Sequence, residues 1–251
     1  MRLNAISWFS SSKRICPLCG RDAGRNAIGA PIPIRHSGPR QALAVLCGLC
    51  RLGIPWITFA ACKICGRAQS CEDCIRRSDR AFALSRCAVR YTDMMRDWLA
   101  LYKYRGNEGV ETVLSAMLAF GYERLSEASG QKFQAVTSVP LAPERLLERG
   151  FNQAERLARR VADWYGIPYV PLLKRLRHTE KQSLKSRRGR VVDMRGNFDV
   201  SSSISVVSGN ILLVDDVYTT GSTLNECARV LRMASDEGKP VGVYGLLWAR
   251  S

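Results

Sequence analysis

A chain of 251 residues with 46% apolar content has room for one full α/β domain and a small module beside it. No window approaches 18 consecutive apolar residues, which excludes a membrane-spanning helix, and the first ten residues lack the apolar stretch of a secretory signal. The net charge of +16 is uneven, with 15 Lys/Arg against 4 Asp/Glu in residues 1–90, 9 against 2 in residues 174–195, and balance at 10 against 10 in residues 91–173. Two basic segments of this kind favour polyanionic partners, with ordinary solvated surface charge as the plainer alternative.

The first 82 residues read as a separate Cys-rich module, and residues 83–251 as an α/β domain. Eight of the ten cysteines fall into four Cys-x-x-Cys pairs, Cys16 with Cys19, Cys47 with Cys50, Cys62 with Cys65, and Cys71 with Cys74. Two thiolates flanking a tight turn make a metal knuckle, and the glycine after the first and third pairs supplies the positive φ such a turn needs. Four pairs make two closed four-sulfur sites, which predicts two structural zinc ions. Sequential pairing is the simplest grouping, crossed pairing stays open, and an iron–sulfur cluster or redox dithiol is the lesser alternative. Reduced, metal-binding cysteines point to a cytoplasmic protein. Cys87 and Cys227 stand alone and read as core residues. The stretch 24–40, rich in Gly and Pro, reads as loop.

Past residue 86 the texture becomes periodic. A strand is predicted at Cys87–Tyr91, then a helix capped by Thr92 that carries Met94, Met95, Trp98, Leu99 and Tyr102, with Met94, Met95 and Trp98 read as core rather than as a cofactor box. A second helix, after Lys103-Tyr-Arg-Gly106, carries Val110, Val113, Leu114, Met117 and Leu118 on one face. Ala135–Val139 reads as a strand ended by Pro140, and Gln153–Tyr165 as an amphipathic helix. Strands at 211–217 and 241–248 flank a further helix. The alternation predicts a mostly parallel sheet.

The most informative segment is Ile211-Leu-Leu-Val-Asp-Asp-Val-Tyr-Thr-Thr-Gly-Ser-Thr223. A buried strand runs into two carboxylates, then a small-residue loop, then a helix start, whose N–H groups and positive potential suit a phosphate. Asp215 and Asp216 stand where a phosphorylated sugar would place vicinal hydroxyls, and they can help hold Mg²⁺. The segment resembles the phosphoribosyl pyrophosphate (PRPP) motif of type I phosphoribosyltransferases.

The order of motifs along the chain resembles the ComF family, the competence protein F-like, GntX-like phosphoribosyltransferase homologues of bacteria. It comprises the Cys-x-x-Cys module, Lys103-Tyr-Arg-Gly106, Val139-Pro-Leu141, Arg149-Gly-Phe-Asn-Gln153, Arg177-x-Thr179-x-x-Gln182 and the 211–223 segment. The resemblance implies a type I phosphoribosyltransferase fold behind a zinc finger, and a role in DNA uptake during natural transformation. It assigns Asp215 and Asp216 to the ribose hydroxyls, and Thr219, Thr220, Gly221, Ser222 and Thr223 to the 5′-phosphate. The turn Val139, Pro140, Leu141 would face the pyrophosphate. Residues 174–195, with Arg177, Gln182, Lys185, Arg187, Arg188 and Arg190, would form a mobile hood over PRPP. The family pattern leads one to expect Asn and Ala where Asp193 and Asn197 stand.

No acceptor site and no catalytic base can be named from the residues, which leaves three functions open. One is a DNA-handling protein that binds PRPP or a nucleotide and single-stranded DNA, alongside other uptake proteins. The second is a phosphoribosyltransferase acting on a small acceptor, and the third a PRPP or nucleotide sensor without turnover. Aromatics near the basic residues (Trp8, Phe9, Trp56, Phe59, Phe82, Tyr91) could stack bases, though most of them read as core.

Overall fold

A computed structural model describes residues 14–24, 31–69, 71–105, 107–176, 196–201, 208–235 and 241–251. In chain order its elements begin with α1 (Ser37–Ala44), α2 (Gly48–Leu52), α3 (Glu72–Arg76), β1 (Ser85–Arg90), α4 (Asp93–Arg105) and α5 (Glu108–Ser129). They continue with β2 (Ala135–Ser138), α6 (Pro143–Arg149), α7 (Gln153–Tyr165), β3 (Leu173–Arg175) and β4 (Phe198–Val200). The last are β5 (Gly209–Tyr218), α8 (Ser222–Met233) and β6 (Val241–Arg250). Among the described residues no helix is long and apolar enough to cross a membrane.

The main sheet has the order β1-β6-β5-β2, and every pairing in it is parallel. All four strands therefore end at one edge of the sheet, where ligands of open α/β sheets bind. Ile211 to Val214 are all buried because β5 is covered on both faces. Strand alternation divides them. Leu212 and Val214 join a layer with Leu114 of α5 and Leu157 of α7, whereas Ile211 and Leu213 join one with Leu224, Cys227 and Leu231 of α8.

Local chemistry explains where the elements start and stop. The Thr92 hydroxyl accepts the Met95 N–H at 3.4 Å as α4 begins. Met95 and Trp98 are buried as expected of core residues, but Met94 is exposed, with its side chain beside Gly53. The Asn107 side chain accepts the N–H groups of Gly109 and Val110 to start α5, which ends at Gly130 in the left-handed conformation, φ 63°. Gln153–Tyr165 is helical with the bounds expected from its pattern. The 24–40 loop reading fails at its end. Ser37, Gly38 and Pro39 open α1, since proline in a first turn loses no hydrogen bond and the His36 ring accepts the Gly38 N–H. α6, also begun by a proline, is a second helix that the pattern did not indicate.

The Cys-rich segment is woven into the α/β part. Trp56 bridges antiparallel to Val89, and the N–H groups of Ile57 and Arg90 donate to the carbonyls of Ala88 and Pro55, which covers the outer edge of β1. Cys16, Cys47, Cys50, Leu43 and Leu46 share the apolar layer of α5, while Cys65, Cys71 and Cys74 share that of α8. The two cysteine groups thus lie against opposite faces of the sheet. Cys87 and Cys227 are buried, as expected of core residues. Phe82 is also buried, Trp56 packs edge-on against Phe120, and Phe59 is exposed. Trp8 and Phe9 lie outside the described residues.

Candidate functional site

At the end of β5 three separate sequence motifs meet. Alternation sends Asp216 to the α4–α7 face, where Lys103 Nζ lies 2.5 Å from Oδ2 and Gln153 Nε2 donates to the same oxygen at 3.2 Å. Arg149 holds the Gln153 side-chain oxygen, and the Tyr102 hydroxyl donates to the Gln153 carbonyl at 3.3 Å. The Asn152 amide donates to the Val139 carbonyl, and the Val139 N–H donates to Val214, so the 139–141 turn sits beside the end of β5. Lys103 from the first motif, Arg149 and Gln153 from the second, and the acidic pair are far apart in sequence but form one constellation.

The two carboxylates differ in state. Burial works against a charge on Asp216, but the Lys103 cation and the hydrogen bonds from Lys103 and Gln153 hold its carboxyl below the usual value. Asp215 lies under the opposite influence. Burial and the charge of Asp216 push it up to about 8, and its own charge is felt by Arg175 and Cys227 on the α8 side. Near neutral pH the pair therefore carries roughly one negative charge, not two.

The loop that follows is held from outside by two arginines. Arg250, buried near the end of β6, donates to the carbonyls of Tyr218 (3.0 Å) and Thr219 (2.8 Å), with its guanidinium 4.4 Å from the centre of the Tyr218 ring. Arg77, the C-cap of α3, donates to the carbonyls of Thr220 and Gly221, both at 3.1 Å. Four consecutive carbonyls are thus turned toward guanidinium groups, an arrangement that favours a concave row of N–H groups in the same loop. Gly221 is the N-cap of α8 at φ 76° and offers no side chain to cap it. A Cβ there would meet the Tyr218 hydroxyl at 2.2 Å, so glycine is required on both counts. The Thr220 and Ser222 hydroxyls hydrogen-bond each other at 2.8 Å, and Thr219 is exposed.

Each cysteine group is sequential. The sulfurs of Cys16, Cys19, Cys47 and Cys50, and those of Cys62, Cys65, Cys71 and Cys74, lie within 4.8 Å of one another inside each set. Sulfurs arranged tetrahedrally around Zn²⁺ at about 2.3 Å stand roughly 3.8 Å apart, and Cys19–Cys47 at 3.6 Å and Cys65–Cys71 at 3.5 Å come close to that separation. The Cys65 N–H donates to the Cys62 sulfur at 3.5 Å, the hydrogen bond of a metal knuckle. Burial opposes a Cys16 thiolate, yet N–H groups of Cys47, Leu18 and Cys19 outweigh it and bring the thiol down to about 7. Both groups can hold a structural zinc ion, with all four positions taken by sulfur.

Arg177, Gln182, Lys185, Arg187, Arg188 and Arg190, expected from the resemblance to form a hood, lie outside the described residues, as does Asp193. The antiparallel β3–β4 hairpin brings the two ends of that segment together. Asn197 is buried there, and its carbonyl accepts the Leu176 N–H at 2.9 Å.

No family model matches the chain. Competence protein ComFC of Bacillus subtilis is 33% identical over 215 residues, covering 82% of this chain and 84% of that one. This chain belongs to the ComF family. Two further ComF relatives are competence protein F of Haemophilus influenzae, 28% identical over 80% of this chain and 89% of its own, and DNA utilization protein YhgH of Escherichia coli, 25% identical over 74% and 90%. A solved structure, that of the allosteric regulatory enzyme of purine biosynthesis, aligns at a TM-score of 0.35 and 21% identity over 64% of this chain. The chain spans 31% of that protein's length, and the likeness is too slight to add to the fold described above.

Arg77 and Arg250 are the site residues of this ComF chain that sequence reading missed. Arg250 left one weak signal, a charge at the end of a strand apolar from Val241 to Trp248. Arg77 left none, because its partners lie 143 and 144 residues away.

Proposed function

We propose that this ComF chain handles incoming DNA, and that the crevice at the end of β5 binds PRPP or the 5′-phosphate of a nucleotide. Its relatives are named for competence and DNA utilization, which supports the cellular role. One observation carries the ligand reading: an arginine-braced loop and a helix start whose N-cap is glycine adjoin an acidic pair with a lysine and a glutamine on one member. Phosphate would sit on the loop N–H groups and hydroxyls of Thr219–Thr223. The ribose hydroxyls would donate to Asp215 and Asp216.

Carboxylate oxygens suit the water shell of Mg²⁺. With Asp216 committed to Lys103, that ion would arrive with the diphosphate of PRPP, and a nucleoside 5′-monophosphate would bind without it. When bound, Mg²⁺ neutralises diphosphate charge. The chain's own part is to orient the ribose and hold the 5′-phosphate. The basic finger region and the 174–195 segment would carry single-stranded DNA.

Calorimetry with PRPP and Mg²⁺ tests the reading. Asp216→Asn removes a charged acceptor of the ribose hydroxyl and should weaken binding by about 2–3 kcal/mol. An unchanged affinity would sink the assignment. Pyrophosphate release with an added base would show transfer, whereas binding without release would make the site a sensor.

A further inference from the structure

The second cysteine group is joined to the proposed phosphate loop through a single side chain. Cys74 lies in α3, and Arg77 ends that helix with φ −87° and ψ 100°, leaving the helical path. From there its guanidinium spans the Thr220 and Gly221 carbonyls, with one nitrogen on each. The chain then continues along α8. The Asn225 side chain accepts the Ala81 N–H and donates to the Asp79 carbonyl, and Arg232 reaches the Ala81 carbonyl. Cys65, Cys71 and Cys74 pack in the same apolar layer as Leu224 and Cys227, so the second group and the start of α8 share a core. The first group lies across the sheet, in the layer of α5.

We propose that Arg77 is a positioning residue through which the second four-cysteine site, and not the first, sets the conformation of the 219–223 loop. A planar fork sets one N–H on each of two successive carbonyls in fixed geometry, whereas an ammonium is a compact point charge without that fork. Metal at Cys62, Cys65, Cys71 and Cys74 fixes α3, α3 fixes the origin of Arg77, and Arg77 turns the Thr220 and Gly221 peptides. The inference goes beyond the phosphate-site reading, and its effect on ligand affinity rests on that reading.

The test combines zinc analysis, amide hydrogen exchange and binding of ribose 5-phosphate on the full chain. Arg77→Ala should keep two zinc ions while exchange across 218–224 rises about tenfold and ribose 5-phosphate binds about tenfold more weakly. Arg77→Lys, which keeps charge and stem, should behave nearly as Arg77→Ala, and it serves in its place should the alanine variant not fold. Cys74→Ser should reproduce the loop effect, and Cys19→Ser should not. Loop exchange unchanged in both Arg77 variants overturns the coupling, and so does an equal response to Cys74→Ser and Cys19→Ser. If the loop responds as stated but ribose 5-phosphate fails to bind the parent protein, the coupling stands and the phosphate reading falls. If ribose 5-phosphate binds parent and Arg77 variants alike, with unchanged exchange, the phosphate reading stands and the coupling falls.

Discussion

Asp215 and Asp216 are neighbours with opposite couplings between pH and stability. Asp215 binds its proton more tightly folded (about 8) than unfolded (3.8), so it lowers stability progressively as pH rises between those values. Asp215→Asn removes that penalty. Urea unfolding without Mg²⁺ should show the variant equal to the parent near pH 4 and more stable by about 2–3 kcal/mol at pH 8, a figure reduced because the raised value is shared with Asp216. A difference independent of pH would contradict the assignment. Asp216 has the reverse sign, since its carboxyl is held low and its contribution is present above about pH 4 and lost as pH falls further. Lys103→Met leaves that carboxylate without its cation and should cost about 2–3 kcal/mol at pH 7, shrinking in acid. Gly221→Ala combines a positive φ with a clash at the Tyr218 ring and should cost about 2–4 kcal/mol. Adding Tyr218→Phe should recover part of that loss, because only the hydroxyl contact is relieved.

At the scale of elements, α5 connects the two parts of the chain. Its Val113, Leu114, Met117 and Leu118 are buried, in one layer with Cys16, Leu43 and Leu46 on one side and Leu246 and Trp248 on the other. Removing zinc should therefore do more than unfold the cysteine segment, because it uncovers the apolar face of α5. Chelation should raise binding of a hydrophobic dye and lower the melting temperature of the whole chain. A second calorimetric transition that survives chelation would mark 83–251 as an independent unit, and a single lost transition would join it to 1–82. Leu157→Ala, in the α7 layer, should cost about 3 kcal/mol without altering metal content.

For the whole molecule the question is DNA. The 174–195 segment carries 9 Lys/Arg against 2 Asp/Glu, and the β3–β4 hairpin anchors its base beside the start of α8, where Gly196 donates to Glu226. If single-stranded DNA binds there, its affinity should fall as salt rises, since each phosphate contact releases about 0.7 of a counterion. Replacing Lys185, Arg187, Arg188 and Arg190 with Ala should flatten the log–log salt slope by roughly 2–3 units. An unaltered slope would mean that this segment does not touch DNA. If the segment also closes over PRPP, PRPP and DNA should weaken each other by the same factor in paired titrations.

Local pattern carried much of this protein. Four apolar residues before two carboxylates announced a strand covered on both faces, and β5 is one. The 3.6-residue period of Gln153–Tyr165 gave α7 its limits, and knuckle spacing marked the eight cysteines that gather into two four-sulfur groups able to hold a metal. These features are legible because each depends on residues close together in the chain. Tertiary structure alone decided the rest. Pro39, within a stretch read as loop, lies in the first turn of α1, and the pattern did not indicate the helix that Pro143 opens. The sequential grouping of the cysteines, and their placement on opposite faces of the sheet, depend on how separated segments fold against α5 and α8. Above all, sequence could place Asp215 and Asp216 at a strand end but could not give them different charges. That difference comes from Lys103 and Gln153, brought by α4 and α7 to one carboxylate and not the other, because successive side chains of a strand point to opposite faces.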